Sequence, residues 1–118
     1  MFCRIIAGDV PSTEVASTAR SYAFRDINPQ APTHVLIVPR RHITSADTVV
    51  AGEAEDVVDL VLLAQQIARS EALVTEGVDP DVKGGYRLVF NVGTDAGNQV
   101  AHLHLHLLGG RQLGWPPG

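Results

Sequence analysis

Cysteine occurs once in the 118 residues, at Cys3, so no disulfide can close within the chain and no Cys-x-x-Cys metal pair is present. No run approaches the ~20 apolar residues that cross a bilayer, and the opening MFCRIIAGDV lacks the apolar core of a secretory leader. These absences predict a cytoplasmic chain with no membrane partner. Positive charge is also scarce: nine Lys and Arg stand against thirteen Asp and Glu, for a net charge of -4. That balance argues against a surface that neutralises long nucleic acid, but not against one nucleotide held in a pocket. Repeats, low-complexity tracts and linkers are absent too. With 45% hydrophobic residues, the chain is expected to form a single domain over residues 1–118.

What is present reads as several short strands and one long helix. FCRIIAG, residues 2 to 8, fits either a short helix or a strand, with Gly8 and Pro11 marking its exit. SYAFRDI looks like a hairpin arm broken by Asn28 and Pro29, and THVLIVP is a strongly apolar strand ended by Pro39. From Glu53 to Glu76, Val57, Leu60, Val61, Ala64, Ile67 and Ala68 recur at helical spacing, and Gly77 is placed to stop the helix. Val58, Leu62 and Leu63 widen its apolar arc beyond one stripe, which a partner subunit would explain. After a turn near Asp79, Pro80, Gly84 and Gly85, YRLVFNVG is a strand, TDAGNQ a loop, and HLHLHLLGG a last strand. Antiparallel strands with one main helix make an α+β fold.

That last segment spends three of five histidines on alternate positions, His102, His104 and His106. The strand period of two puts them on one face and Leu103, Leu105 and Leu107 on the other. His-x-His can place two imidazoles on one zinc, but three residues of this row span about 13 Å at about 3.3 Å per residue, so they do not converge on one tetrahedral ion. Imidazole chemistry suits the pattern better. With an unperturbed pKa of about 6.5, neighbouring rings can hold different protonation states near pH 7, one attacking while another gives a proton. Gly93, Gly97 and Asn98, just upstream, offer backbone N–H groups and an amide to an anion, which points to phosphorus chemistry.

HLHLHLL resembles the His-x-His-x-His motif of the histidine triad family. DINPQAPTHVLIVPRRHI is similar to that family's central strand region, YRLVFNVGTDAGNQV to its phosphate loop, and GGRQLGWPPG to the C-terminus of its nucleotide-binding branch, the purine nucleoside phosphoramidases. The resemblance implies a five-stranded antiparallel sheet with one long and one short helix, the sheet continuing across a homodimer. It also implies hydrolysis of adenosine or guanosine 5′-phosphoramidates, with AMP or GMP as product. The alternatives within reach are a dinucleoside polyphosphate hydrolase, which uses the same nucleophile, and a non-catalytic nucleotide-binding scaffold.

By motif position the nucleophile is His104, whose neutral ring attacks the α-phosphorus to give a nucleotidyl-histidine that water opens. Its other nitrogen would donate to the carbonyl of His102. His102 and His106 are the candidates for protonating the departing amine, and the family pattern adds His34 to their row. Asp26 resembles the acid that accepts both ribose hydroxyls. Ile27, Phe24 and Ile5 resemble the walls of the base slot, and Asn91, Gly97, Asn98 and Gln99 the phosphate loop. Trp115 resembles the residue that reaches the partner's active site. The loop departs from the family in reading Gly97-Asn98-Gln99, and Ala101 replaces a residue often aromatic, which bears on the leaving group and the rate. Some relatives carry a structural zinc on a cysteine pair; only Cys3 remains here, with His42 as its expected neighbour, so neither a metal nor a cofactor is expected.

Overall fold

A computed structural model describes residues 2–8, 11–74, 84–98 and 100–118. The chain runs α1 (Phe2–Ile6), β1 (Glu14–Ser17), β2 (Ser21–Arg25), β3 (Thr33–Pro39), α2 (Ala54–Ser70), β4 (Tyr86–Val89) and β5 (Leu105–Gly109), with three short 3-10 turns between. The five strands form one antiparallel sheet in the order β1-β2-β3-β5-β4. This is the α+β architecture expected, with α1 settling the open reading of residues 2 to 8 as helical. The expected hairpin arm is two arms, β1 and β2, closed by a turn in which the Thr18 N–H donates to the Ser21 carbonyl.

The sheet buries both faces, and period-two alternation decides what each receives. On one face Ala23, Val35, Ile37, Leu103, Leu105 and Leu107 pack under Leu60, Leu63, Ala64, Ile67 and Ala68 of α2. On the other, Phe24, Leu36 and Val38 pack under Phe2 and Ile5 of α1. β3 serves both, so all seven of its residues are buried, as THVLIVP suggested. A hairpin-to-helix clamp fixes α2 over the sheet: the hydroxyls of Thr18 and Ser21 both donate to Asp59 Oδ2 at 2.5 Å, and Arg20 pairs with Glu55 and Asp56.

Three expectations need correction. The helix ends at Ser70, not Glu76. Ala72 takes a left-handed φ of 58°, its N–H donates to the Arg69 carbonyl, and the Leu73 N–H donates to that of Ala68. This capping arrangement closes the last turn with alanine where glycine is usual; Gly77, Asp79 and Pro80 lie outside the described residues. Leu63 does not belong to a second apolar side, being 2% exposed in the core, whereas Val57 and Val61 are only half-buried. Val58 and Leu62 are the exposed pair, at 55% and 54%. Finally, regular pairing in the histidine segment begins at Leu105, so only His106 of the three lies within β5. The reason is local: the Leu103 N–H bonds to the Ile43 carbonyl rather than to a neighbouring strand.

Candidate active site

The histidine face is not a solvated one. His34, His102 and His104 are 5%, 3% and 9% exposed, and Phe2 of α1 packs against the last two. Its ring meets His104 edge-on at 5.1 Å between centroids and His102 at 5.6 Å. Sheet register brings in the fourth ring. Leu36 of β3 stands opposite His106, so His34, two residues away on the same face, reaches it diagonally.

Hydrogen-bond partners fix which nitrogen of each ring carries hydrogen. His104 Nδ1–H donates to the His102 carbonyl at 2.8 Å, leaving the Nε2 lone pair unbonded among the described residues. His102 Nε2–H donates to the Pro39 carbonyl at 3.2 Å, so its lone pair is on Nδ1, which lies near Cys3 and His42. His34 Nδ1 accepts the Gln30 main-chain N–H at 3.0 Å, and its Nε2–H points at His106 Nδ1, 2.9 Å away. His106 Nε2 then lies 3.5 Å from the Asn91 carboxamide nitrogen, and an Nε2–H bonds this group only with the carboxamide turned to present its oxygen. Burial holds the pKa of His34 and of His102 below 6.5, against an opposing pull from Asp26 on the first and from the Pro39 carbonyl on the second. Burial, then the neighbouring rings of His104 and His34, push His106 down to about 4. At pH 7 these three rings are neutral, which is the state in which an imidazole accepts at one nitrogen and donates at the other.

The other expected site residues sort by position. Asp26 Oδ1 accepts the Asn28 N–H, an Asx turn, while Oδ2 lies 3.4 Å from His34 Nε2. Phe24 and Ile5 are buried in the α1 face of the core, whereas Ile27 is 97% exposed. Gly97 adopts a left-handed φ of 83° that glycine tolerates. Asn98 spends its main-chain N–H on the Gly93 carbonyl and its side-chain oxygen on the Val100 N–H, so its contribution to this loop is to shape it. Gln99 lies outside the described residues. Trp115 is 81% exposed, its ring 5.8 Å from the Arg87 guanidinium, which also bonds the Gly114 carbonyl. Sequence reasoning missed Phe2 and the Gln30 N–H; the second, a main-chain group, leaves no mark in the sequence.

A second cluster sits behind the first. Cys3 Sγ, His42 Nδ1 and His102 Nδ1 are 3.4 Å apart between Cys3 and His102, 3.2 Å between the two histidines and 3.6 Å between Cys3 and His42. Tetrahedral zinc with Zn–N near ~2.1 Å and Zn–S near ~2.3 Å separates its ligand atoms by roughly 3.4 to 3.6 Å, so this donor set fits three of the four corners. The Pro39 hydrogen bond holds His102 in the tautomer a metal would need. The expectation of no metal rested on a missing cysteine pair and overlooked His102 turning toward Cys3 and His42. Asp26, His34 and His106 also bring ligand atoms within 4.8 Å of one another, but there the short His34–His106 contact is a hydrogen bond.

An antiparallel sheet with a helix on each face, the shorter one covering part of a row of imidazoles, defines an α+β domain with a histidine-rich sheet face. The HIT domain profile matches residues 7–113, and the chain belongs to the HIT family. It is 45% identical, with a TM-score of 0.89, to a HIT family hydrolase from Legionella pneumophila, across 100% of this chain and 98% of that one. A histidine triad nucleotide-binding protein from Candida albicans is 33% identical with a TM-score of 0.79, over 98% of this chain and 81% of that one. Among curated relatives, a 14 kDa zinc-binding protein of Zea mays is 41% identical over 100% of this chain and 87% of its own length.

Proposed function

We propose that this protein is a cytoplasmic hydrolase that cleaves purine nucleoside 5′-phosphoramidates through a nucleotidyl intermediate on His104. One observation carries the reading: His104 is held by its Nδ1–H on the His102 carbonyl, which fixes the tautomer and leaves Nε2 as the ring nitrogen free to attack. His104 Nε2 attacks the α-phosphorus, the P–N bond breaks, and the departing nitrogen takes a proton. His102 is a poor source, because its Nε2–H is committed to Pro39. His106 Nε2–H is the donor. A neutral imidazole suffices for a leaving group as basic as an amide anion, and His34 Nε2–H steadies the charge left on His106. His104 becomes cationic as its neighbour becomes anionic, with the two rings 5.0 Å apart, so the charges offset each other. Water then returns a proton to His106 and opens the His104–P bond. Asp26, with Ile27, Phe24 and Ile5, binds the nucleoside, and Asn91 with the loop at Gly97 and Asn98 takes the phosphate.

The test is a substrate panel. Adenosine 5′-phosphoramidate should be turned over at least tenfold more efficiently than diadenosine polyphosphates. The reverse order would make this a polyphosphate hydrolase, and tight nucleotide binding without turnover of either would leave a binding protein.

Two further readings have their own observations. The Cys3, His42 and His102 donor set, and the zinc-binding relative from maize, favour a zinc ion that ties α1 to the histidine row. Such an ion supplies cross-linking charge at a site that excludes His104 Nε2. Exposed Val58 and Leu62 on α2, together with the outer edge of β4, unpaired among the described residues, favour a homodimer whose sheets continue across the interface and whose Trp115 serves the partner's pocket. Sedimentation should then give twice the 12.6 kDa chain mass.

A further inference from the structure

We propose that Arg111, an exposed side chain on the corner after β5, is a positioning residue for the imidazole row: it holds Gln30 so that the Gln30 N–H stays on His34, and this fixes the tautomers of His34 and His106 together. The inference rests on the reading above, in which His106 Nε2–H protonates the leaving nitrogen, and adds the device that keeps the hydrogen there.

His34 Nε2 and His106 Nδ1, 2.9 Å apart, share one hydrogen. Two arrangements satisfy that contact. In the forward one His34 donates, and His106 carries its own hydrogen on Nε2. In the reversed one His106 donates from Nδ1, His34 carries its hydrogen on Nδ1, and His106 Nε2 is a bare lone pair with no proton to give. The far end of this relay accepts either arrangement. The Asn91 carboxamide, whose nitrogen is 3.5 Å from His106 Nε2, suits a lone pair as it stands and an N–H once its oxygen is turned inward. The near end accepts only one. The Gln30 N–H donates to His34 Nδ1 at 3.0 Å, so a hydrogen on that nitrogen would face a second donor. Asp26 Oδ2, 3.4 Å from His34 Nε2, favours the same arrangement over a longer distance.

The relay therefore runs forward while Gln30 keeps its place. Gln30 lies on an exposed turn between β2 and β3, outside the strand pairing. Among the described residues its other hydrogen bonds are local, its side chain donating to the Asn28 carbonyl and its N–H to His34. The exception is Arg111, whose Nη2–H donates to the Gln30 carbonyl at 2.9 Å across 81 positions of sequence. The fold brings the two together. Thr33 pairs with Gly109, so the chain leaves β5 beside the point where the turn enters β3. Gly110 then takes a φ of 89° and lies so near Pro32 that a Cβ there would stand 2.9 Å from the proline Cβ, which lets the corner close onto the turn. Arg111 itself bonds only the carbonyls of Gln30 and Gln112 and touches no ring of the row among the described residues.

The decisive measurement needs no turnover. In protein labelled with 15N at the histidine rings, long-range 1H–15N spectra read each tautomer. The wild type should carry hydrogen on Nε2 of both His34 and His106. Arg111→Ala should move both rings together toward the reversed arrangement, to about a fifth of the population or more. His102 and His104, tied to the Pro39 and His102 carbonyls, should keep their tautomers, whereas a general loosening of the domain would move all four rings. Arg87→Ala, which frees the Gly114 carbonyl on the same C-terminal segment, should leave the spectra as in the wild type. The reversed arrangement in the wild type, no change in Arg111→Ala, or an equal change in Arg87→Ala overturns the inference. Kinetics give the second arm: with adenosine 5′-phosphoramidate, Arg111→Ala should lose at least threefold in kcat while KM changes less than twofold. Shifted tautomers with an unchanged kcat overturn His106 as the proton donor, and shifted tautomers with no wild-type turnover overturn the substrate, each leaving the role of Arg111 in the relay standing; turnover with unshifted tautomers does the opposite.

Discussion

Lowering the pH should cost this fold stability through His106 before its carboxylates protonate. The ring is pushed down to about 4 in the folded chain from 6.5, mainly by burial. A folded pKa below the unfolded one means that the unfolded chain binds the proton more tightly, so the ring's contribution is complete above pH 6.5 and is lost as pH falls toward 4. At pH 5 the two values imply about 2 kcal/mol, at ~1.36 kcal/mol per unit. His106 is only partly buried, and solvent screening brings the expected loss nearer to about 1 kcal/mol. Urea unfolding at pH 7.5 and pH 5, at one fixed protein concentration, measures it. His106→Gln keeps a hydrogen-bonding side chain without the titration, so its stability should fall by about 1 kcal/mol less than the wild type over that interval. His34 and His102, also held below 6.5 by burial, add a loss common to both proteins. Equal losses in wild type and variant would refute the claim that His106 is held neutral by its surroundings.

His104→Ala should abolish phosphoramidate turnover while nucleotide affinity, read by titration calorimetry, changes less than tenfold; residual activity above a few per cent would move the nucleophile elsewhere. Leu107→Ala, at a side chain with no exposure beneath α2, should destabilise by about 2–5 kcal/mol in denaturant titration. Ala72→Gly should stabilise by up to about 1 kcal/mol, because the left-handed residue closing α2 then loses its steric penalty. Added Zn2+ should raise the wild-type Tm by several degrees and leave that of Cys3→Ala unchanged.

Where burial and periodicity coincide, the sequence was readable. THVLIVP announces a strongly apolar strand, which the fold buries on both sides, and the alternation of histidine with leucine separates the histidine face from the one under α2. The end of α2 was hidden because alanine, a strong helix former, occupies the left-handed cap position, so glycine further on looked like the stop. Of the Cys3, His42 and His102 group, the pairing of Cys3 with His42 was expected, and His102 escaped notice for a different reason. The three are separated by 39 and 60 residues and meet only when α1, the end of β3 and the approach to β5 are assembled, a coincidence that no local spacing encodes. The wiring of the imidazoles was legible only in part. The His104 bond to the His102 carbonyl follows from the motif, whereas the donors and acceptors that fix His102 and His34 are the Pro39 carbonyl and the Gln30 N–H.

Those main-chain partners explain how a face of identical rings acquires different roles. The three buried rings, His34, His102 and His104, each have one nitrogen tied to a peptide group, and in each the remaining nitrogen is what differs: a donor on His34, a lone pair toward Cys3 and His42 on His102, a lone pair without a partner among the described residues on His104. His106 has no peptide partner, and its state follows that of His34. A side-chain substitution cannot delete a peptide group, so the assignments of His102 and His104 should survive most single mutations nearby. The assignment of His106 hangs on one side-chain contact. It is therefore the ring whose state a substitution at His34 should change most.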